Sequence, residues 1–228
     1  MMPNDVPADE PRQRRLPRHL PIFPLEGSLL LPHGHLPLHI FEPRYRAMID
    51  SALAGARIIG MIQPRLAYDH PTPDDAELFA TGCAGRIVSF AETDDGRYFI
   101  TLKGLCRFLV ASELPLHAGG FRVVSADYTP FAADHDAPAD AAIDRVRLIT
   151  AARDYLAVKE IGCDWQAAEA APLPALITTF AMTCPFEPRE KQALLECADV
   201  TSRGEMLISL FEMAARSGSD STPSRARH

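Results

Sequence analysis

LPLHIFEPRYR, residues 36–46, reads as a strand that hands over to a helix. Pro43 suits the first position of a helix, where its missing N–H has no intrahelical partner to lose. Tyr45, Met48, Ile49 and Leu53 then recur at helical spacing, and Gly55 lies just past the end. Glu42 precedes that helix, where a carboxylate complements the helix dipole, and Arg44 lies close enough in sequence to pair with it. Phe41 and Tyr45 are expected to be core anchors that join the helix to the strands. Just upstream, His33, His35 and His39 occupy odd positions, so one extended strand would point all three the same way. Pro32, Gly34 and Pro37 interrupt the ladder such a strand needs. The three histidines are therefore expected on a loop or surface. Metal ligation is the weaker alternative, because Glu42 is the one acidic ligand nearby and no cysteine is close.

The signals around this stretch favour strands from Leu20 to about Tyr128. Residues 57–63 form a short β-branched run closed by Pro64, and Gly82 and Gly85 within residues 78–90 suggest a bend or bulge. Asp94-Asp95-Gly96 is a hairpin turn signal, since glycine accepts the positive φ a tight turn requires. Residues 97–103 and 106–110 read as two further strands, and 121–128 completes the set. Composition then changes abruptly to Ala, Asp and Pro over 130–140, a linker or exposed loop.

Beyond residue 140 the pattern turns helical. Ile143, Val146 and Ile149 begin an amphipathic stripe that continues to Tyr155 and Leu156, and Leu173, Leu176, Ile177 and Phe180 make a second. Pro188 can open a helix carrying Leu194 and Leu195, and Ser202 with Glu205 can form a capping box for the last one. The expected organisation is a disordered tail at 1–18, a β-rich subdomain at 19–129, the linker, a helical subdomain at 141–215 and a tail at 216–228.

Of the 228 residues 47% are apolar and 23% charged, as in an ordinary globular protein. No apolar run approaches the ~20 residues that cross a bilayer, and the polar N-terminus has no signal-peptide core, so the expected location is the cytoplasm. A net charge of −7 with three lysines (Lys103, Lys159, Lys191) disfavours nucleic acid. Cys83, Cys106, Cys163, Cys184 and Cys197 form no C-x-x-C pair and read as apolar core residues in a reducing compartment. No lysine follows a glycine, so no P-loop exists, and neither H-E-x-x-H nor G-x-S-x-G occurs. Asp74-Asp75 and Asp94-Asp95 sit in turns, where solvation keeps both members of each pair ionised.

Several motifs in order resemble one family. Phe23-Pro24-Leu25, the 36–46 stretch, Ile58-Ile59-Gly60-Met61, the Gly82–Ile87 run, Lys103-Gly104 with Arg107-Phe108, and the late P-x-x-x-x-x-K-Q-x-L-L-E segment at 185–196 are similar to the N-terminal LON substrate-binding domain of Lon proteases. The match runs from about Leu20 to Ala214. It departs at Pro32-His33-Gly34-His35, where Lon proteases commonly have Pro-Gly. The resemblance implies an α+β fold, a PUA-like β-barrel or pseudo-barrel followed by a helical bundle. It implies a non-enzymatic module that binds unfolded or peptide segments, with an ATP-dependent protease as a further partner; no cofactor is expected, and charge and hydropathy argue against nucleic acid and membrane. Phe41, Arg44, Tyr45, Met61 and Arg107 are the candidate binding residues. A hydrolase with an unrecognised site and a PUA-like RNA binder are the alternatives.

Overall fold

The computed structural model describes residues 16–66, 72–73, 75–137 and 140–219. Most of both expected tails therefore lies outside the described residues. Six strands, β1 (His19–Pro24), β2 (His35–Ile40), β3 (Ile58–Ile62), β4 (Thr81–Glu92), β5 (Tyr98–Glu113) and β6 (Val123–Asp127), form one sheet in the order β2-β5-β4-β3-β1-β6. Helix α1 (Pro43–Leu53) starts at Pro43 and buries Tyr45, Met48, Ile49 and Ala52. Strand β5 is long enough to pair twice along one edge. Its first half meets β2 and its last residues meet β6, while β4 runs along the opposite edge. That second pairing closes β1, β3, β4, β5 and β6 into a barrel and leaves β2 outside as an edge strand.

Leu20, Ile22, Ile58, Ile62, Phe108 and Val124 fill the barrel. The ring of Phe108 occupies its axis so fully that a Cβ on Gly60 or Gly82 would lie 2.9 or 2.5 Å from it. Gly82 is thus a close approach, whereas the register shifts that mark bulges fall between Ala84 and Gly85 and again between Ile87 and Ser89. The two strands expected at 97–103 and 106–110 are one continuous β5. Gly104 does not end a strand. It lets the chain cross the 31–34 loop, where a Cβ would strike the Leu31 carbonyl. There the Gly104 N–H donates to the Gly34 carbonyl (2.8 Å), and its own carbonyl accepts from His33 (3.0 Å).

A 3-10 helix (Thr129–His135) begins the stretch expected as a linker. Then come α2 (Arg145–Val158), α3 (Trp165–Ala170), α4 (Leu173–Thr183), α5 (Pro188–Glu196) and α6 (Val200–Ser219). Helices α4 and α5 fall where the pattern places them. The α2 stripe shifts to Leu148, Ala151, Ala152, Tyr155 and Leu156, leaving Val146 74% exposed, because Ile143 precedes the helix. Short α3 has too little periodicity to read and is held by Asp164, whose side chain accepts the Ala167 N–H (3.0 Å). The cap of α6 is Asp199, which accepts from both the Ser202 N–H and hydroxyl (2.8 Å each), so Ser202 and Glu205 do not form the expected box. The capping box present belongs to Glu187 and Glu190 at the start of α5. Tyr155, Phe180, Phe186 and Phe211 interlock between the helices, and the same apolar cluster continues through Leu29, Leu30 and Leu31 to Tyr45 and Ile59.

Two polar clamps hold the helices on the barrel. Arg107, 5% exposed, pairs fork to fork with Asp134 of the 3-10 helix (2.9 and 2.8 Å). Its remaining N–H groups donate to the carbonyls of Leu195 (3.1 Å), Cys197 (2.5 Å) and Ala198 (3.3 Å), groups that the end of α5 leaves without helical partners. Burial pulls the Arg107 pKa down, but the hydrogen bonds and charge of Asp134 outweigh it and the net shift is upward. Asp134 lies in the composition-shifted stretch yet its side chain is buried. In the second clamp, Gln63 at the end of β3 donates to the Pro188 carbonyl (3.1 Å) and Gln192 (3.2 Å), Gln192 donates to the Thr81 carbonyl (3.2 Å), and Lys191 donates to the Gly27 carbonyl (2.7 Å). The K-Q pair of the late motif is therefore a fastener. Removing one partner of a buried, hydrogen-bonded ion pair costs about 3–5 kcal/mol. Asp134→Ala is expected to destabilise the protein by that amount, read as a lowered urea midpoint with an unchanged slope.

Candidate functional site

Strand β3 pairs with β4 only as far as Arg86, and the last bond on that edge joins the Ile87 N–H to the Arg57 carbonyl (2.8 Å). Beyond it, β4 and β5 run on to the Asp94–Gly96 turn, and β2 lies along the other edge of β5. The result is a three-stranded ribbon projecting past the barrel. Its two faces follow the alternation of side chains. Ile40, Tyr98, Ile100 and Leu102 are buried, and the Tyr98 hydroxyl donates to Asp50 of α1 (3.0 Å). The opposite face carries His35, Pro37 and His39 of β2, Phe99, Thr101 and Lys103 of β5, and Ser89 and Ala91 of β4.

On that outer face His39 stacks on Phe99 with ring centroids 4.5 Å apart and planes 16° from parallel, and Phe41 approaches His39 at 5.9 Å. Phe99 is 51% and Phe41 59% exposed. Between the strands runs a shallow groove of about 320 Å³ lined by Pro37, His39, Ser89, Ala91, Phe99 and Thr101. Large aromatic rings with few rotatable bonds, left half in water, offer apolar contact area at low conformational cost. A second groove lies between barrel and helices, with Pro64, Leu66 and Phe79 facing α5. Its rim alternates in charge through Arg65, Glu77, Arg189 and Glu196.

The structure separates the residues singled out from sequence. Phe41 is not a core anchor: α1 turns inward only from Tyr45, and the ring one residue before Glu42 stays in solvent. Tyr45 is an anchor, packed on Phe23 at 4.2 Å. Arg44 pairs with Glu42 (3.0 Å), donates to the Thr72 carbonyl (2.7 Å) and lies over the Tyr45 ring. Met61 is 2% exposed in the core, and Arg107 is the clamp. His35 and His39 share the outer face, whereas His33 leaves the strand with φ of 65°. Among the described residues no group of three His, Cys, Asp or Glu is placed to hold a metal ion. Phe99 carries the outer face and was absent from the candidate set. Its signal was the period of two in Tyr98–Lys103, which sets Phe99 opposite Tyr98 and Ile100.

Burial shifts several ionisable groups out of their ordinary ranges. Burial pushes the Cys106 and Cys184 thiols up to about 12 and raises those of Cys83 and Cys197 as well. A protonated, buried thiol is a poor nucleophile. Burial lowers the Lys191 pKa, but its ammonium is committed to the Gly27 carbonyl.

A family model described as the ATP-dependent protease La (LON) substrate-binding domain matches residues 19–212. Among curated proteins, Lon protease 2 of Myxococcus xanthus is 34% identical over 95 residues, 42% of this chain and 11% of that protein. The Lon protease of Haemophilus influenzae is 24% identical over 202 residues, 87% of this chain and 24% of that protein. The chain thus spans about a tenth to a quarter of these relatives. Among solved structures, a Lon N-terminal domain protein from Xanthomonas campestris superposes with a TM-score of 0.57 at 21% identity, covering 84% of this chain and 97% of that one. The N-terminal domain of Lon protease from the Mycobacterium avium complex gives 0.52 at 20% identity, covering 85% and 98%.

The raised thiols make a pH prediction. Their folded pKa values lie above the unfolded value of about 8.5, so their contribution is complete below that pH and is lost as pH rises towards 12. Tm is expected to fall steadily between about pH 8.5 and 11. A thiol reagent at neutral pH is expected to reach half-buried Cys163 first and the other four only on unfolding. A flat Tm profile would mean that these thiols are not desolvated.

Proposed function

We propose, from the premise that the chain belongs to the LON substrate-binding domain family, that it holds exposed or extended segments of other proteins and does no chemistry on them. The observation that supports this reading is the His39–Phe99 stack with Phe41 beside it, on a ribbon face that the closed core does not use. Protein-binding hot spots are enriched in such aromatic anchors. Of the candidate residues, Phe41 offers contact area directly and Arg44 stands beside it on α1, while Tyr45, Met61 and Arg107 act by holding the frame. The charged rim of the second groove suits polar flanks of the same segment. The relatives are named Lon proteases. Presentation of bound segments to an ATP-dependent protease is the proposed context, and the cytoplasm its proposed place. The five cysteines are free, which fits a reducing compartment. Among the described residues no helix is long and apolar enough to cross a membrane.

Titration calorimetry with casein and with unstructured apolar peptides is expected to give binding of about micromolar strength. Phe99→Ala and Phe41→Ala, each on the solvent side of the ribbon, are expected to weaken it about tenfold apiece with unchanged circular dichroism. Binding that survives both substitutions intact would remove this face from the function.

A further inference from the structure

Among the described residues the ribbon has two open edges, and they differ in their backbone chemistry. On β2, the bond from Gly104 to the Gly34 carbonyl marks a hydrogen-bonded pair. With the register unbroken from His35↔Lys103 to Ile40↔Tyr98, antiparallel alternation turns the backbone of Leu36, Leu38 and Ile40 towards β5. His35, Pro37 and His39 then face the free side. Proline has no N–H, so the middle of that edge lacks its donor, a common way of blunting an edge strand.

The β4 edge is interrupted at Val88, where a bulge shifts its register with β5, and is regular from Ser89 to Glu92. The Thr93 N–H bonds to the Arg97 carbonyl (2.9 Å) at the turn. Counting back through Glu92↔Tyr98, Ala91↔Phe99, Phe90↔Ile100 and Ser89↔Thr101, the backbones of Ala91 and Ser89 face β5, and those of Glu92 and Phe90 face outward. The same count turns the backbones of Tyr98 and Ile100 towards β2, in agreement with the pairing derived from the other edge. Residues 88–92 are all exposed, with Val88 50% and Phe90 42% accessible. They contain neither proline nor lysine, and the outward backbone groups of Phe90 and Glu92 are placed to pair with another strand. The hairpin end carries Glu92, Asp94 and Asp95, with Arg97 and, against Gly96 and the Tyr98 ring, Arg46 as its cations. Arg97 pairs with Asp95 (2.9 Å), while among the described residues no ion pair reaches Glu92 or Asp94.

We infer that residues 89–92 of β4 accept an extended protein segment as an added strand, with apolar side chains alternating and a basic residue set against Glu92 and Asp94. This rests on the reading that the chain holds protein segments, and it assigns the backbone ladder that would hold them. The added strand widens the outer face beside Ser89 and Ala91, so it continues the groove next to Phe99. A basic-ended segment suits the Glu92 and Asp94 carboxylates, which no ion pair among the described residues reaches.

The test is amide exchange followed by NMR, using unstructured peptides in which valine and threonine alternate and lysine stands at one end. Binding is expected to slow exchange at Phe90 and Glu92 about tenfold or more and to leave Ser89 and Ala91, already bonded to β5, unchanged. N-methylation of alternate peptide residues is expected to abolish binding. Glu92→Pro, which removes an outward donor, is expected to weaken it about fivefold to tenfold, the worth of roughly one hydrogen bond. Should proline disturb the hairpin, Glu92→Lys keeps the N–H and is expected to shift preference severalfold towards acid-ended peptides. Peptide binding with Phe90 and Glu92 amides unprotected would overturn the added strand and leave the protein-binding reading standing. No binding by any peptide or by casein would overturn both. Protection that grows with protein concentration in the absence of peptide would assign the edge to a second copy and overturn the proposal.

Discussion

One guanidinium decides how the two halves of this molecule stand. All five side-chain N–H groups of Arg107 are engaged, two on Asp134 and three on carbonyls at the α5–α6 junction. Arginine is the one side chain with enough fixed donors to meet a carboxylate and three carbonyls from a single position. Because Arg107 rises from β5, which also closes the barrel and carries the ribbon, the helical layer, the 3-10 helix and the sheet share one reference point. Arg203 lies next to this junction, donating to the Leu194 carbonyl (2.8 Å). Burial lowers its pKa, and the neighbouring Arg107 charge lowers it further.

The clamps explain why recognition motifs need not mark a binding site. Lys191 and Gln192 tie α5 to the Gly27 loop and to the first residue of β4, and Arg107 ties β5 to the helices. Both belong to the runs by which the family is recognised. They hold the parts of the fold together, whereas the proposed partner surface takes His39 and Phe41 from the 36–46 run and Phe99 from outside these runs.

This difference also sets how much was legible in advance. Helix α1 could be read because Pro43 and a spacing of three and four residues coincide, and α4 because its apolar positions repeat over two turns. The α+β class came from the switch in period between the two halves. Asp134 could not be placed, since a carboxylate in an Ala/Asp/Pro stretch looks the same whether it faces water or a buried arginine 27 positions away. Continuous β5 was hidden for a similar reason. Gly104 looks like an interruption in one dimension and becomes a crossing point only when Leu31 lies over it. On the candidate face, His39 and Phe99 were each visible as strand residues, but their stacking depends on β2–β5 register, which no local pattern specifies.

Strand β5 has a mechanical consequence. It runs unbroken from the tip of the ribbon to the barrel seam with β6, bonded to neighbours on both sides. A pull applied to the ribbon along its length loads those ladders in shear, where many hydrogen bonds share the force, and not by peeling, where they would yield in turn. The crossing at Gly104 and the anchor at Arg107 lie on that same line. Tension on the ribbon is thereby passed to the joint between barrel and helices.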